Sequence, residues 1–212
     1  EKNQIFYGLG AVKNVGFEAI SNIIKEREKN GKFKNLFDFI NRADPKDINK
    51  LQLEGLVKAG AFDSFNLNRK SLFESIPSLI LKSKNLFENK HLNQINLFND
   101  SIDQSDNDLL VKIEDFNFEE RLSKEFETMG FFISDHPLNQ FKDLFPQYNV
   151  VNFNDYNNND KTKECVVAST ILKIQEKKNQ KGLSYAIIKF TDLGGVFELF
   201  IFSDLFEQKR DI

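Results

Sequence analysis

The sequence predicts an α+β protein in which a mainly α-helical region is followed by a partial antiparallel β domain. Apolar residues recur at helical spacing between Phe17 and Phe87 and again between Phe118 and Met129, which predicts a series of amphipathic helices. From Glu164 onward the pattern changes to short runs rich in β-branched and aromatic residues, separated by turn-forming residues. This change of period predicts helices first and a sheet last.

The first helix is predicted from Phe17 to about Asn30, with Gly31 as its stop. Before it lies a tight turn in which Asn14 and Gly16 tolerate left-handed backbone angles. The first N–H groups of a helix have no intrahelical partner, so such a turn binds a phosphate without reading sequence. The turn resembles a helix-hairpin-helix unit, with Asn14 in place of the usual first glycine. An ordinary capped helix start is the alternative.

Several more helices follow this turn. Asn35 is predicted to cap a short helix, and Asn49 to cap a second one that ends at Gly60. Another helix is predicted to begin near Asn68, and Pro77 is expected at the first position of the next.

Residues 58–63 form a second turn of small residues between helices, so the two turns look like a tandem pair of hairpins. Paired hairpins can straddle a minor groove and hold both backbones. The candidates for phosphate contact are Lys13, Lys58, Arg69 and Lys70, and solvated surface is the alternative for each.

An isolated apolar pair, Leu97-Phe98, stands in a polar and acidic stretch that supplies no helical or strand period. Exposed apolar anchors in such a segment commonly fill a partner's pocket. The pentapeptide Gln94-Ile95-Asn96-Leu97-Phe98 resembles the motif by which bacterial polymerases dock on the ring-shaped sliding clamp. The alternative is a loop that places both side chains on its own domain.

A helix from Phe118 to Met129 is predicted beyond the acidic stretch, with Leu122 and Phe126 on the same apolar face as its two ends. The following His136 precedes a proline and has no second His or Cys nearby. We therefore expect it to act in a turn or cap rather than in catalysis or metal binding.

Three strands are predicted in the last part of the chain: one from Cys165 to Ile174, one around Tyr185, and one from Val196 to Phe202. With a lysine-rich first loop, they resemble the opening half of an OB-fold, which binds single strands by base stacking and phosphate neutralisation. The predicted single-strand contacts are Lys177, Lys178, Lys181 and Tyr185. Cys165 is expected to be a buried small hydrophobe.

The net charge of −3 conceals an uneven distribution. Residues 1–90 contain 16 Lys and Arg against 11 Asp and Glu, residues 91–160 contain 4 against 14, and residues 161–212 contain 9 against 7. We therefore expect only the two ends of the chain to face a polyanion. A single Cys and the lack of a long apolar run favour a cytoplasmic protein without a membrane span. Because the chain starts without Met and ends abruptly, we expect a piece of a longer protein.

Six stretches follow one another along the chain: IFYGLGAVKNVGFEAISNII, GKFKNLFDFINR, LVKAGAFDSF, QINLF, KEFETMGFFISDHPL and the strand block from ECVVASTILKI to GVFELFIF. Their order resembles that in the bacterial replicative DNA polymerase III α-subunit family. Asp135, where the family often has Gly, and Asn14 are local departures. The resemblance implies four segments: a tandem helix-hairpin-helix region (1–88), an acidic loop with the clamp motif (89–117), a helix and linker (118–160), and half an OB-fold (161–212).

The resemblance also implies duplex contacts at Lys13, Asn14, Val15 and Gly16, and at Lys58, Gly60 and Ala61. The implied partners are duplex DNA, the single-stranded template, the sliding clamp and other replicase subunits. The polymerase palm aspartates, which bind Mg²⁺, have no counterpart here. We therefore expect no cofactor and no synthesis of DNA by this segment alone.

Two other functions compete with this interpretation. A helix-hairpin-helix DNA glycosylase or nuclease would need a catalytic Lys or Asp after a hairpin, and the iron–sulfur form would need several cysteines where this chain has one. A free-standing OB-type module would not account for the hairpins or the pentapeptide.

Overall fold

A computed structural model describes residues 7–91, 109–158 and 164–209 of the 212-residue chain. The chain divides into two compact units, Glu1–Ser134 and Asp135–Ile212. The helix from Phe118 lies in the first unit, whereas the sequence grouped it in one segment with the linker up to residue 160.

The first unit contains six α-helices within the described residues. They are α1 (Phe17–Asn30), α2 (Leu36–Arg42), α3 (Lys50–Lys58), α4 (Arg69–Glu74), α5 (Ile76–His91) and α6 (Phe118–Met129). Short 3-10 turns lie at Leu9–Ala11 and Asp63–Phe65. Pro77 is the second residue of α5, one position later than expected.

Asparagine side chains start four of these helices, as local sequence rules predict. Asn35 caps α2, Asn49 caps α3, Asn68 caps α4 and Asn117 caps α6, each by accepting a backbone N–H of the first turn. The caps of α3 and α6 are reciprocal capping boxes. At the other end of α1, Gly31 has φ 85°, a conformation that favours glycine.

A single apolar core joins α1 to α5. Its most buried members include Leu36, Ile40, Ile48, Val57 and Ile76, each at most 1% exposed. The core therefore fixes the loops between helices, including the turn before α1, by packing rather than by helix propensity alone.

Within its described residues, the second unit contains a 3-10 segment (Pro137–Tyr148), α7 (Phe153–Asn157), three strands and α8 (Ser203–Lys209). The strands β1 (Thr170–Lys178), β2 (Ser184–Asp192) and β3 (Gly195–Ile201) form an antiparallel sheet in the order β1-β2-β3. The predicted α+β class, helical first and with a three-stranded antiparallel sheet, is confirmed.

The start of the first strand was predicted wrongly. β1 begins at Thr170, not at Cys165, and Cys165 is exposed rather than buried. The preceding apolar run is used elsewhere, because Val166 forms an isolated parallel bridge with Val150. None of the described helices is long and apolar enough to cross a membrane.

Candidate nucleic-acid interface

The turn before α1 has the conformation that its sequence favours. The Val15 N–H donates to the Val12 carbonyl at 3.1 Å, and Asn14 lies in the left-handed region at φ 68°. Val12 and Val15 are buried, whereas Lys13, Asn14 and Gly16 are exposed. The two valines therefore anchor the turn in the core while its polar residues face solvent.

A glycine inside α3 allows this turn to pack closely. A Cβ built on Gly55 would lie 2.8 Å from the Lys13 carbonyl oxygen and 3.0 Å from Val15 Cγ2. A backbone oxygen cannot move aside as a flexible side chain can. Gly55 is therefore needed where it is, although glycine weakens a helix.

The N-terminus of α1 is open, in contrast to the asparagine-capped helices. Its N-cap is Gly16, which has no side chain to accept the first N–H groups, and the adjacent Phe17 is 80% exposed. Backbone donors and the positive end of the helix dipole coincide here. This arrangement suits an anion such as a phosphate.

The same turn packs on the end of α6. The Lys13 N–H donates to the Thr128 carbonyl at 3.0 Å. Beside it, the Lys58 ammonium donates to both carboxylate oxygens of Glu127, at 2.9 and 3.0 Å. The hydrogen bond from Lys58 is the main cause that lowers the pKa of Glu127, and the charges of Lys58, Lys124 and Lys13 add to it. Lys58 is thus already engaged with an acid of this chain.

The second predicted hairpin is a helix C-terminus. Gly60, at φ 76°, donates its N–H to the Val57 carbonyl, and Ala61 donates to the Leu56 carbonyl. This is the Schellman arrangement that ends a helix. The amides of Gly60 and Ala61 are therefore used within α3, and the carbonyl end of that helix disfavours an anion.

Arg69 lies inside a network of ion pairs and is only 6% exposed. Its guanidinium donates to both Asp63 oxygens and, at 2.8 Å, to Glu125, which is 0% exposed. Burial acts to lower the pKa of Arg69, but the hydrogen bonds to Asp63 and Glu125 outweigh it and raise that pKa above its ordinary value. A Cβ on Gly60 would collide with this guanidinium, so glycine here makes room for Arg69.

The backbone N–H of Lys70, at the start of α4, is hydrogen-bonded to another carboxylate of this chain. Its N–H donates to Asp115 at 3.0 Å, and its side chain lies over the Phe116 ring. In the second turn, the amides of Gly60 and Ala61 and the side chains of Lys58, Arg69 and Lys70 are therefore all engaged in contacts within this chain.

In the second unit, the β1–β2 hairpin brings the four predicted single-strand residues together. Lys177 pairs in register with Tyr185, Lys178 ends β1, and Lys181 lies in the turn. The Asn179 side chain shapes this turn by accepting the N–H groups of Lys181 and Leu183. The three lysines are exposed and Tyr185 is half-buried.

His136 acts as a helix cap, as predicted. Its Nδ1 accepts the Leu138 N–H, and its Nε2 lies 3.2 Å from the Thr191 hydroxyl. Burial lowers the pKa of His136, against the opposing charges of Asp192 and Asp135. Across the described ranges, no group of three or more His, Cys, Asp or Glu side chains is arranged to hold a metal ion. The pentapeptide Gln94–Phe98 lies outside the described residues.

Comparison with known proteins agrees with the order of the motifs. Residues 1–72 match the family model described as helix-hairpin-helix motif. Proteins named DNA polymerase III subunit alpha are similar to nearly the whole chain: 36% identity over 98% of it in Borreliella burgdorferi, 35% over 95% in Rickettsia bellii, and 31% over 100% in Campylobacter jejuni. This chain is related to one segment of the bacterial DNA polymerase III α subunits. The predicted family resemblance is confirmed, and the chain spans 17–18% of the length of these relatives.

The sequence did not predict the role of α6. Its apolar face was expected to include Phe118, but Phe118 is exposed, and the residues that α6 buries are Leu122, Glu125 and Thr128. A glutamate three positions after a buried leucine was the available signal. It was uninformative without knowledge that Arg69, 56 residues earlier, lies opposite.

Proposed function

We propose that this chain is the DNA-holding and clamp-tethering segment of a replicative DNA polymerase III α subunit, which is a DNA-directed DNA polymerase. It would need no cofactor and would not transfer nucleotides itself, since Mg²⁺ and the reacting groups belong to the palm. It would act in the cytoplasm with the other replicase subunits. The observation that supports this best is the open turn at Asn14–Gly16 within a region that matches a helix-hairpin-helix model.

In the proposed mechanism, a backbone phosphate of duplex DNA binds at the start of α1. The N–H groups after Gly16 donate to the phosphate oxygens, and the exposed Lys13 adds a compensating charge. Contacts of this kind position the protein without reading bases. The hold on DNA would therefore be independent of sequence, as a polymerase that moves along its template requires.

Substitution of Gly16 tests this mechanism because it separates stability from binding. Gly16 has the extended backbone of an N-cap, and a new Cβ would meet only the end of the Gln52 side chain, at 3.3 Å. Gly16→Asp should cap α1 and stabilise the fold by a few tenths of a kcal/mol, roughly. Its carboxylate would occupy the amides and repel a phosphate, so duplex affinity should fall about tenfold or more.

Gly16→Asn is the matched control, because it has the same shape without the charge. Fluorescence anisotropy with a labelled duplex at low salt measures all three proteins. We expect the Gly16→Asp variant to bind the duplex far more weakly than the Gly16→Asn variant. Both variants should have melting temperatures no lower than that of the wild type. Equal affinities of the Asp and Asn variants would show that no phosphate sits at this helix start.

For clamp docking, the proposal relies on the pentapeptide Gln94–Phe98, in which Leu97 and Phe98 fill a pocket of the sliding clamp while Gln94 hydrogen-bonds at its rim. A weak peptide contact and a weak duplex contact on one chain reinforce each other through effective concentration. Gains of about 10²–10⁴ in overall affinity are typical of such linkage. The segment would thus raise processivity without contributing chemistry.

The β1–β2 hairpin is proposed to contact single-stranded template as part of an OB domain. Exposed Lys177, Lys178 and Lys181 would neutralise phosphates, and Tyr185 offers an aromatic ring for stacking. Replacing the three lysines by Ala should weaken binding of a labelled single strand and leave duplex binding unchanged. Equal loss of both activities would contradict separate sites.

A further inference from the structure

Three lysines lie near one glutamate beside the open turn of α1, and one of them, Lys58, contacts it directly. Glu127 is on the solvent side of α6, with 53% of its side chain exposed, and both of its oxygens accept from Lys58. The Lys13 backbone lies close to Glu127, because the Lys13 N–H donates to the carbonyl of Thr128, the residue that follows Glu127. Lys124, one helical turn before Glu127, also contributes favourable charge to that carboxylate.

Aromatic rings hold two of these ammonium groups in place. The Lys124 Nζ lies 5.1 Å from the centroid of the Phe73 ring and 4.8 Å from that of Phe116. Lys58 Nζ lies 5.6 Å from the Phe73 ring. Cation–π contacts of this kind restrict the rotamers that a long lysine side chain can adopt. Lys58 and Lys124 are therefore both held beside the Phe73 ring.

We propose that Lys58 and Lys124 form a second duplex-backbone contact next to Lys13 and the α1 turn, and that Glu127 weakens this contact by neutralising Lys58. The proposal rests on the proposed function and adds α6 to the DNA-holding surface. Three cations around one carboxylate leave a net positive site, and continuity with the open amides selects a neighbouring phosphate of the same duplex. The Lys58 side chain is only 13% exposed and is bonded to Glu127, so an incoming phosphate must share its ammonium with that carboxylate, which keeps the hold on DNA weak and reversible.

Variants of the full 212-residue chain that each remove one charge test this proposal, because it predicts which variants bind duplex DNA more tightly and which bind it more weakly. Glu127→Gln should tighten binding of a labelled duplex about three- to tenfold at low salt, because a nearby negative charge is lost. The slope of log affinity against log salt should become steeper by about one. Lys124→Ala should weaken binding by a similar factor and make the slope shallower by about one.

Substitutions at two exposed residues serve as controls, because each removes the same charge as one of the test variants. Glu28→Gln changes a residue near the far end of α1, about 16 Å along the helix from Phe17. Lys84→Ala changes a residue of α5. Neither should change affinity more than about twofold. In the double variant Lys58→Ala with Glu127→Gln, the gain seen for Glu127→Gln alone should disappear.

Three results decide the matter, each with thermal melting to verify folding. A gain for Glu127→Gln that requires Lys58 and exceeds the gain for Glu28→Gln supports the proposal. Equal effects of Glu127→Gln and Glu28→Gln overturn it, because they would reflect net charge alone. If the wild-type chain binds no duplex at all, the proposed function itself fails, and the two failures are thereby distinguished.

Discussion

Replacing Glu125 by Gln should destabilise the first unit strongly, although the two side chains have the same shape. One carboxylate oxygen of Glu125 accepts from Arg69 and from the Ser134 hydroxyl, and the other accepts from the N–H groups of Ile133 and Ser134, both at 2.8 Å. An amide has one oxygen and one NH₂ group. In either orientation, its NH₂ would face a group that can only donate, namely the guanidinium or the two backbone N–H groups.

The expected loss follows from the burial of this pair. Glu125 is fully buried and Arg69 nearly so, and removing the charge of one partner of such a pair costs about 3–5 kcal/mol. Because Gln keeps one acceptor, we expect the lower end, about 3 kcal/mol. With a typical dependence of unfolding free energy on urea, the midpoint should fall by about 1–2 M.

Urea unfolding followed by far-UV circular dichroism measures this effect. Glu119→Gln removes the same charge from an exposed position of α6 and should shift the midpoint by no more than a few tenths of a molar, roughly. If Glu125→Gln unfolds at the wild-type urea concentration, then the buried ion-pair network does not hold α6 against α3 and α4, and the reasoning is refuted.

The same network sets the sign of a pH dependence. Burial alone would raise the pKa of Glu125, but hydrogen bonds from Ser134, Ile133 and Arg69 outweigh it and lower that pKa below its ordinary value. A lowered pKa stabilises the fold above the unfolded-state value of about 4.3 and loses this stabilisation as the pH falls toward the folded-state value. The difference in unfolding free energy between the wild type and Glu125→Gln should therefore be largest at pH 7 and smaller at pH 3. A difference that is constant with pH would contradict the assigned charge state.

Three further predictions concern the turn, the clamp motif and a cap. Gly55→Ala should cost about 1–3 kcal/mol in urea unfolding and weaken duplex binding, because its Cβ collides with the Lys13 carbonyl; unchanged stability would mean that the turn can shift freely. Leu97→Ala with Phe98→Ala should abolish retention by the sliding clamp in a pull-down while duplex affinity stays constant, and undiminished retention would refute clamp docking. Asn117→Ala should lower the unfolding free energy by about 1 kcal/mol through loss of the α6 capping box, and a silent substitution would show that the cap contributes nothing.

Local rules predicted the helix boundaries because their causes are local. Asn35 and Asn49 cap their helices through backbone groups three residues away, and Gly31 ends α1 in a conformation that glycine favours. Asn14 takes the left-handed angle expected of it. In each case the interacting groups are close together in the sequence, so reading the sequence was sufficient.

Contacts between distant residues were not predictable in the same way. The Arg69–Glu125 pair joins residues 56 positions apart, and nothing near Arg69 in the sequence distinguishes a buried guanidinium from an exposed one. The small residues around Gly60 predicted a turn, but not that the Arg69 guanidinium would pack against Gly60 in the space a side chain would need. Likewise, the apolar run that begins at Cys165 is typical of a strand, but its residue Val166 pairs with Val150 and not with the three-stranded sheet.

The central proposal, that the turn at Asn14–Gly16 holds the backbone of duplex DNA without reading its sequence, is tested most directly by a salt titration. Fluorescence anisotropy would compare two labelled duplexes of equal length and unrelated sequence, bound by the full chain over a range of salt concentrations. We predict affinities equal within about twofold, and a slope of log affinity against log salt of about −2 to −3, as two or three phosphate contacts require. Failure to bind either duplex at low salt, or binding that does not respond to salt, would contradict the proposal.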